Sequence, residues 1–322
     1  MRQLPDQLGI LLCALVIAIT GSYCKKDKNE NPSPPHDRWE TINSGKERNI
    51  GTAKWSFVIN DKAFFGSTEG DLHIYDFSRK DWTGSFTLPS EFESRWACAV
   101  AVHNNKAYIG NGRYGAGQFL SDWWEFDPEA SNPWRRLPDC PVAGGDGTAF
   151  IHEGKLHNTL QIDERQGNET IQRRVYVFDL ATESWSQNFN QVGANCGSSG
   201  FAFLLNNKLH FGAGYNNNVP GSVFTKECAV YNPADQQTTK IAQFPVEMQR
   251  AENAITFTQN GKGYVLGQHK ELFEFDPAAN KWREMNKVPE QAALGPVTYL
   301  HMYNNKVFGF TTKGKLYEYI PG

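Results

Sequence analysis

The chain is 322 residues long and sets 32 lysines and arginines against 35 aspartates and glutamates, for a formal net charge of −3 at pH 7. Balanced charge of both signs produces no cationic field to attract a nucleic-acid backbone, so nucleic acid is excluded as a partner. With 39% hydrophobic and 13% aromatic residues, the composition fits a single globular domain with a sizeable core.

From the N-terminus, residues 8–19 (LGILLCALVIAI) form an apolar run behind Arg2. The run is shorter than the ~20 residues a membrane-spanning helix needs, and reads as the core of a secretory signal covering 1–23. Gly21-Ser22-Tyr23-Cys24 resembles a bacterial lipobox, with Tyr23 standing where a small residue is usual. The resemblance implies acylation of Cys24 after cleavage. Residues 24–37 follow as a charged, proline-bearing tether that lacks the apolar side chains to build a core. This tether is similar to those after the lipid-bearing cysteine of Bacteroidetes lipoproteins. That similarity implies an exported, outer-membrane lipoprotein, on the periplasmic or cell-surface side, held to the membrane by its lipid alone.

From Arg38 onward the chain reads as strands. Six two-residue polar turns, Asn60-Asp61, Asn104-Asn105, Glu153-Gly154, Asn206-Asn207, Asn260-Gly261 and Asn304-Asn305, precede Lys62, Lys106, Lys155, Lys208, Lys262 and Lys306. Asn, Asp and Gly tolerate the positive φ that two-residue hairpins require, so each turn is expected to join two antiparallel strands. A second marker lies downstream. Asp76, Asp179, Asn232 and Asp276 are followed six residues later by Trp82, Trp185, Thr238 and Trp282, and Asp127 after seven by Trp134. Aromatic-rich runs flank these positions, as in SDWWEFDPEASNPWRRLP (121–138) and KELFEFDPAANKWREMNKVP (270–289). They predict a second tight turn whose Asx side chain accepts an amide hydrogen.

Successive lysines are 44, 49, 53, 54 and 44 residues apart. Four short strands per interval, at a period near ~50 residues, resemble the kelch repeat. The best copy runs from Asn105-Lys106-Ala107-Tyr108-Ile109-Gly110 to Trp134, and the repeat's glycine pair survives in part as Gly110-Asn111-Gly112 and Gly212-Ala213-Gly214. The resemblance covers 38–322 and implies a ring of four-stranded blades like the central domain of galactose oxidase. Six inner hairpins are present but only five following outer strands. Residues 38–43, beginning Arg38-Trp39-Glu40-Thr41-Ile42, are expected to pair with the sixth unit at Lys315-Leu316-Tyr317-Glu318-Tyr319. The expected fold is an all-β, six-bladed kelch-type β-propeller whose last blade is closed by the N-terminal strand.

In such a ring, the connections between second and third strands and those leading into each inner strand emerge on one face. Extra length falls on that face in blades 2 to 4, at 110–120, 160–173 and 213–225, and long loops on a rigid scaffold are where binding resides. The loops offer Arg113, Tyr114, Gln161, Asp163, Arg165, Tyr215 and Asn216. The approaches to the inner strands offer Arg48, Arg95, Asp146, Asn195, Arg250 and Glu252. Amides, carboxylates and guanidinium forks match sugar hydroxyls and carboxylates, and tyrosine faces cover apolar sugar faces. The expected ligand-binding set is Arg95, Arg113, Tyr114, Asp146, Asp163, Arg165, Asn195, Tyr215, Arg250 and Glu252. Arg95 and Arg250 also carry a structural reading, because kelch repeats often place arginine there.

The eight histidines do not gather, and only His269 falls on this face, against the copper oxidases that share the ring. Hydrolase, zinc and phosphate-loop motifs are absent from the sequence, so no metal or cofactor is expected. Cys98 and Cys228 read as buried small side chains, while Cys140 and Cys196 fall in analogous loops and could form a bridge in an exported protein. The leading reading is a monomeric propeller that binds a glycan or an envelope protein without catalysis. Two others stay open. Six-bladed kelch proteins that epimerise the anomeric centre of sialic acid are similar, which implies a mutarotase of acidic sugars. Glu252 with Arg250, or Asp146 with Arg95, would then supply acid/base and carboxylate-anchoring groups; no motif places that family's active residues here, so no catalytic residue is assigned. A protein-interaction hub would need Val219, Val223 and Phe224 exposed together.

Overall fold

Each repeat lysine opens a strand, and the turn before it has the backbone its residues favour. Asn60 has φ 53°, Asn104 and Asn105 have 50° and 60°, and Asn304 and Asn305 have 47° and 58°. These are left-handed values that Asn adopts at little cost. The computed structural model describes residues 38–42, 48–162, 172–188, 200–216, 223–248, 255–267, 269, 271–285, 287 and 297–320. All lie in one compact unit, His36–Gly322, and every regular element among them is a strand. Cys24 and the segments 1–23 and 24–37 lie outside the described residues.

The second marker is also a local device. Asp76 Oδ1 accepts from the amides of Ser78 and Arg79, Asp127 Oδ1 from Glu129, Asp179 Oδ1 from Ala181 and Thr182, and Asp276 Oδ1 from Ala278 and Ala279. The tryptophan that follows reaches across to the blade before it. Trp82 Nε1 donates to Gly314 O, Trp185 Nε1 to Pro138 O and Trp282 Nε1 to Ala242 O.

Six four-stranded antiparallel sheets result. Their inner strands are Ala53–Ile59, Ala99–His103, Gly145–His152, Phe201–Leu205, Thr256–Gln259 and Val297–Tyr303. Large apolar side chains fill the space between adjacent sheets: Trp55, Phe57 and Phe64 of blade 1 meet Ile109, Trp124 and Phe126 of blade 2. Glycine makes room where two layers approach. A Cβ on Gly110 would lie 2.0 Å from the Trp123 ring, so the first glycine of Gly110-Asn111-Gly112 is required by packing and the second by its φ of +103°.

Arg38–Ile42 is the outer strand of blade 6, with Trp39 opposite Tyr319 and Thr41 opposite Tyr317. Blade 6 in turn packs on blade 1 through Phe308, Phe310 and Leu316 against Phe65 and Tyr75, so the ring is closed by packing as well as by pairing. Trp39 lies 5.2 Å from the Tyr319 ring, centroid to centroid. Trp39→Ala is expected to cost about 2 kcal/mol, below the ~3–5 kcal/mol of a fully buried tryptophan because this one is half-buried. Urea unfolding measures it, with a lowered midpoint at unchanged slope as the expected result.

Candidate functional site

The inner strands alternate between two environments. In Ala53–Ile59, Trp55, Phe57 and Ile59 are buried between blades while Ser56 and Val58 are partly exposed. The partly exposed set from all six blades, represented by Ser56, Val100, Thr148, Ala202, Thr256 and Thr298, borders one cavity of about 640 Å3 along the ring axis.

Arg113 and Asp146 meet beside Ala97 and Gly147, two residues that line that cavity. Arg113 begins a short hairpin, Arg113–Tyr114 paired with Gln118–Phe119, and its backbone bridges to Trp96. Its guanidinium lies 4.5 Å from the Phe119 ring centroid and 5.3 Å from that of Trp96, and Nη2 donates to Asp146 Oδ2 at 2.7 Å. The Asp146 side chain is 3% exposed and that of Arg113 is 23% exposed. Asp146 occupies an irregular stretch of its strand between Gly145 and Thr148, with φ 52°, and its amide donates to Ala97 O. Ala97 itself has φ 52° and Asn111 φ 51°. Asp and Asn adopt such values at little cost, so of the three Ala97 alone carries appreciable backbone strain, and it does so beside the ion pair, where strain is often found at functional sites.

Arg95 must be removed from the ligand-binding and catalytic candidates. It is 1% exposed and its guanidinium is committed: Nη2 to Asp122 Oδ2 at 2.6 Å, Nη1 to Asp122 Oδ1 at 3.0 Å and to Asn111 O at 3.2 Å, and Nε to Glu93 O at 3.1 Å. Burial alone would raise the Asp122 carboxyl, but the hydrogen bonds and charge of Arg95 outweigh it and hold it below the usual range. The expected pairing of Asp146 with Arg95 is thus replaced by Asp146 with Arg113. Arg95→Met is expected to destabilise by about 3 kcal/mol by stranding the Asp122 charge, and adding Asp122→Leu should recover most of that loss in the same urea titration.

Tyr114, 40% exposed, stands beside Arg113 on the same hairpin. Tyr215–Asn216 pairs with Val223–Phe224 in a matching hairpin of blade 4. Asp163, Arg165, Asn195, Arg250, Glu252 and Val219 lie outside the described residues, as does Cys196. Cys140 is a buried free thiol, and Phe224 is half-buried. Cys98 is partly buried, packed against the core between blades 1 and 2 and bordering the axial cavity, and burial pushes its thiol up to about 12. The clamp of Trp96 and Phe119 and the hydroxyls of Ser56 and Thr148 were not among the sequence candidates. Alternation along the inner strands was the signal for the latter.

A closed ring of six kelch-type blades, opening through its loop face onto an axial cavity, defines the class: this chain is a six-bladed kelch-type β-propeller. No family profile matches it. It is similar to N-acetylneuraminate epimerase 1 of Escherichia coli O6:H1, 23% identical over 204 residues, which are 60% of this chain and 48% of that protein. The alignment thus spans about half the length of the relative. The solved structure of YjhT matches with a TM-score of 0.54 at 18% identity, over 66% of this chain and 71% of that one, a likeness of fold.

Proposed function

We propose that this protein binds an acidic sugar beside the axial cavity and accelerates interconversion of its anomers. The Arg113–Asp146 pair carries the proposal. Arg113 gives Asp146 one Nη2 hydrogen bond, and its buried Nε has no partner among the described residues. A planar fork held between two aromatic rings and still offering donors suits a ligand carboxylate. Mutarotation then needs a proton taken from the anomeric hydroxyl as the ring C–O bond breaks and a proton returned to the ring oxygen, with the reverse on the other face after the carbonyl turns. Asp146, adjacent to the anchoring cation, is the group assigned that proton. The similarity to a protein named for epimerising N-acetylneuraminate supports this choice of substrate class.

The test is NMR of freshly dissolved acidic and neutral sugars with and without protein. Faster anomer exchange confined to carboxylated sugars supports the proposal, while binding without any acceleration returns the binding-only reading. We also propose, on residues 8–19 and Cys24, that the protein is exported and lipid-anchored. Fatty-acid labelling in cells should be lost in Cys24→Ser, and a wild-type protein that takes up no label overturns the anchor.

A further inference from the structure

We infer that a cleft between blades 3 and 4, beside the Glu153-Gly154 turn, binds a small organic acid through its carboxylate. The inference is independent of the sugar reading and concerns a different part of the ring. In two other blades the equivalent place is filled from within the chain, which shows what chemistry it accepts. In blade 2, Glu125 pairs with Tyr108 on one side and Arg135 on the other. Its carboxylate accepts from Lys106 Nζ at 3.1 Å and from Arg135 Nη2 at 3.2 Å, and Arg135 Nη1 reaches Glu183 of blade 3 at 2.6 Å. Blade 5 repeats the arrangement. Glu274 pairs with Tyr264 and Arg283, and accepts from Lys262 Nζ at 2.8 Å, the Tyr264 hydroxyl at 2.8 Å and Arg283 Nη2 at 3.1 Å.

Blade 3 keeps the lysine and loses the anion. In the same register Val177 stands between His157 and Ser186, so valine, histidine and serine replace the carboxylate, the phenol and the guanidinium. The acid from the next blade is gone too, since Gln236 holds in blade 4 the turn position that Glu183 holds in blade 3. These smaller side chains leave a cleft of about 440 Å3, lined by His152, Lys155, His157, Val177, Ser186 and Gln236. Two observations point to a guest. Lys155 is exposed and has no ion pair among the described residues, whereas Lys106 and Lys262 are drawn onto their glutamates. His157 is 6% exposed, and its Nδ1 is buried without a hydrogen-bond partner among the described residues. A buried polar atom at a cavity wall is completed by what enters the cavity. An ammonium and an imidazole carrying its proton on Nδ1 both donate to a carboxylate, and a cation would meet Lys155 as a like charge. Glu153 at the rim does not take the place, because its side chain is 83% exposed and its carboxylate lies 3.9 Å from His152 Nε2. The volume is within the range of small-molecule sites and exceeds that of a carboxylate alone, so the ligand carries a body of several carbons.

Glutarate is the probe, and pentane-1,5-diol, of equal length without charge, is its control. Each is titrated into the intact protein by calorimetry while the histidine ring signals are followed by NMR, those of His157 being identified by their loss in His157→Phe. Glutarate is expected to bind saturably and shift the His157 signals, and the diol to do neither. Lys155→Gln should weaken glutarate about tenfold, the worth of one hydrogen bond to a charged group. Val177→Glu supplies from within the chain the carboxylate that blades 2 and 5 already have, and should abolish binding. Thermal melts establish that each variant folds; if Val177→Glu does not, Lys155→Gln decides alone. Absence of a saturable shift at His157, equal binding of the diol, or wild-type affinity in Lys155→Gln would overturn the inference.

Discussion

Between pH 6.5 and pH 4 the protein is expected to lose on the order of 6 kcal/mol of stability through two buried histidines. His157 and His210 stand two residues after their repeat lysines, at the position filled by Tyr108 and Tyr264 in blades 2 and 5. His157 stacks on Phe150 at 5.0 Å and His210 on Phe203 at 5.2 Å, and they are 6% and 5% exposed. Burial lowers both from 6.5 to about 4; the charges of His152 and Lys155 push His157 the same way, whereas the hydrogen bond that His210 Nδ1 donates to Lys208 O opposes the shift at His210. Because the folded pKa lies below the unfolded one, the unfolded chain takes the proton first as pH falls. Stability from these groups is complete above pH 6.5 and is lost down to pH 4, at about 3 kcal/mol for each histidine.

That loss rivals the ~5–15 kcal/mol total of an ordinary domain. His301, lowered to about 4 by burial, adds to the slope. At lower pH the carboxyls of Glu125 and Glu274, which burial raises but Arg135, Lys106 and Lys262 hold below their usual range, lose their ion pairs and extend the transition. Urea midpoints across this range measure the effect. Phenylalanine occupies the same position in blades 1 and 6, so the double variant His157→Phe, His210→Phe should fold and show a flattened profile. A wild-type profile that is level from pH 6.5 to 4 would refute the account.

Asp146→Asn is expected to slow anomer exchange by about 10²–10⁴-fold, the usual worth of a positioned acid/base group. The substitution is clean because asparagine tolerates the φ of 52° that this position has, and it keeps an oxygen for Arg113. Losing the charge opposite the partly exposed Arg113 is expected to cost about 1–3 kcal/mol of stability, and a thermal melt beside the kinetics separates the two effects. Arg113→Lys keeps a charge but loses the fork, so it should raise KM more than it lowers kcat. Unchanged exchange in Asp146→Asn would dismiss Asp146 as the proton carrier.

How far the sequence was legible follows the range of each interaction. Turns such as Asn104-Asn105, the Asx acceptors at Asp127 and Asp276, and the tryptophans at Trp185 and Trp282 act within one hairpin or between adjacent blades, and they recur at readable spacing. Even the clasp of Trp39 on Tyr319 could be expected, since one strand was missing from a counted set. The site was less legible. Arg95 and Arg113 are both arginines on the same face of blade 2, and nothing in their neighbours tells that one lies sealed against Asp122 while the other meets Asp146 of blade 3.

By itself, then, the sequence determined the strand count, the turn chemistry and the sixfold closure, because each depends on backbone preferences and apolar alternation that a few adjacent residues encode. Only the tertiary structure decided which arginine is buried, which carboxylate it meets, and that hydroxyls from separate blades share one cavity. Those outcomes depend on the angle and distance between sheets remote in the chain, where side-chain reach and desolvation, rather than local propensity, set the partner.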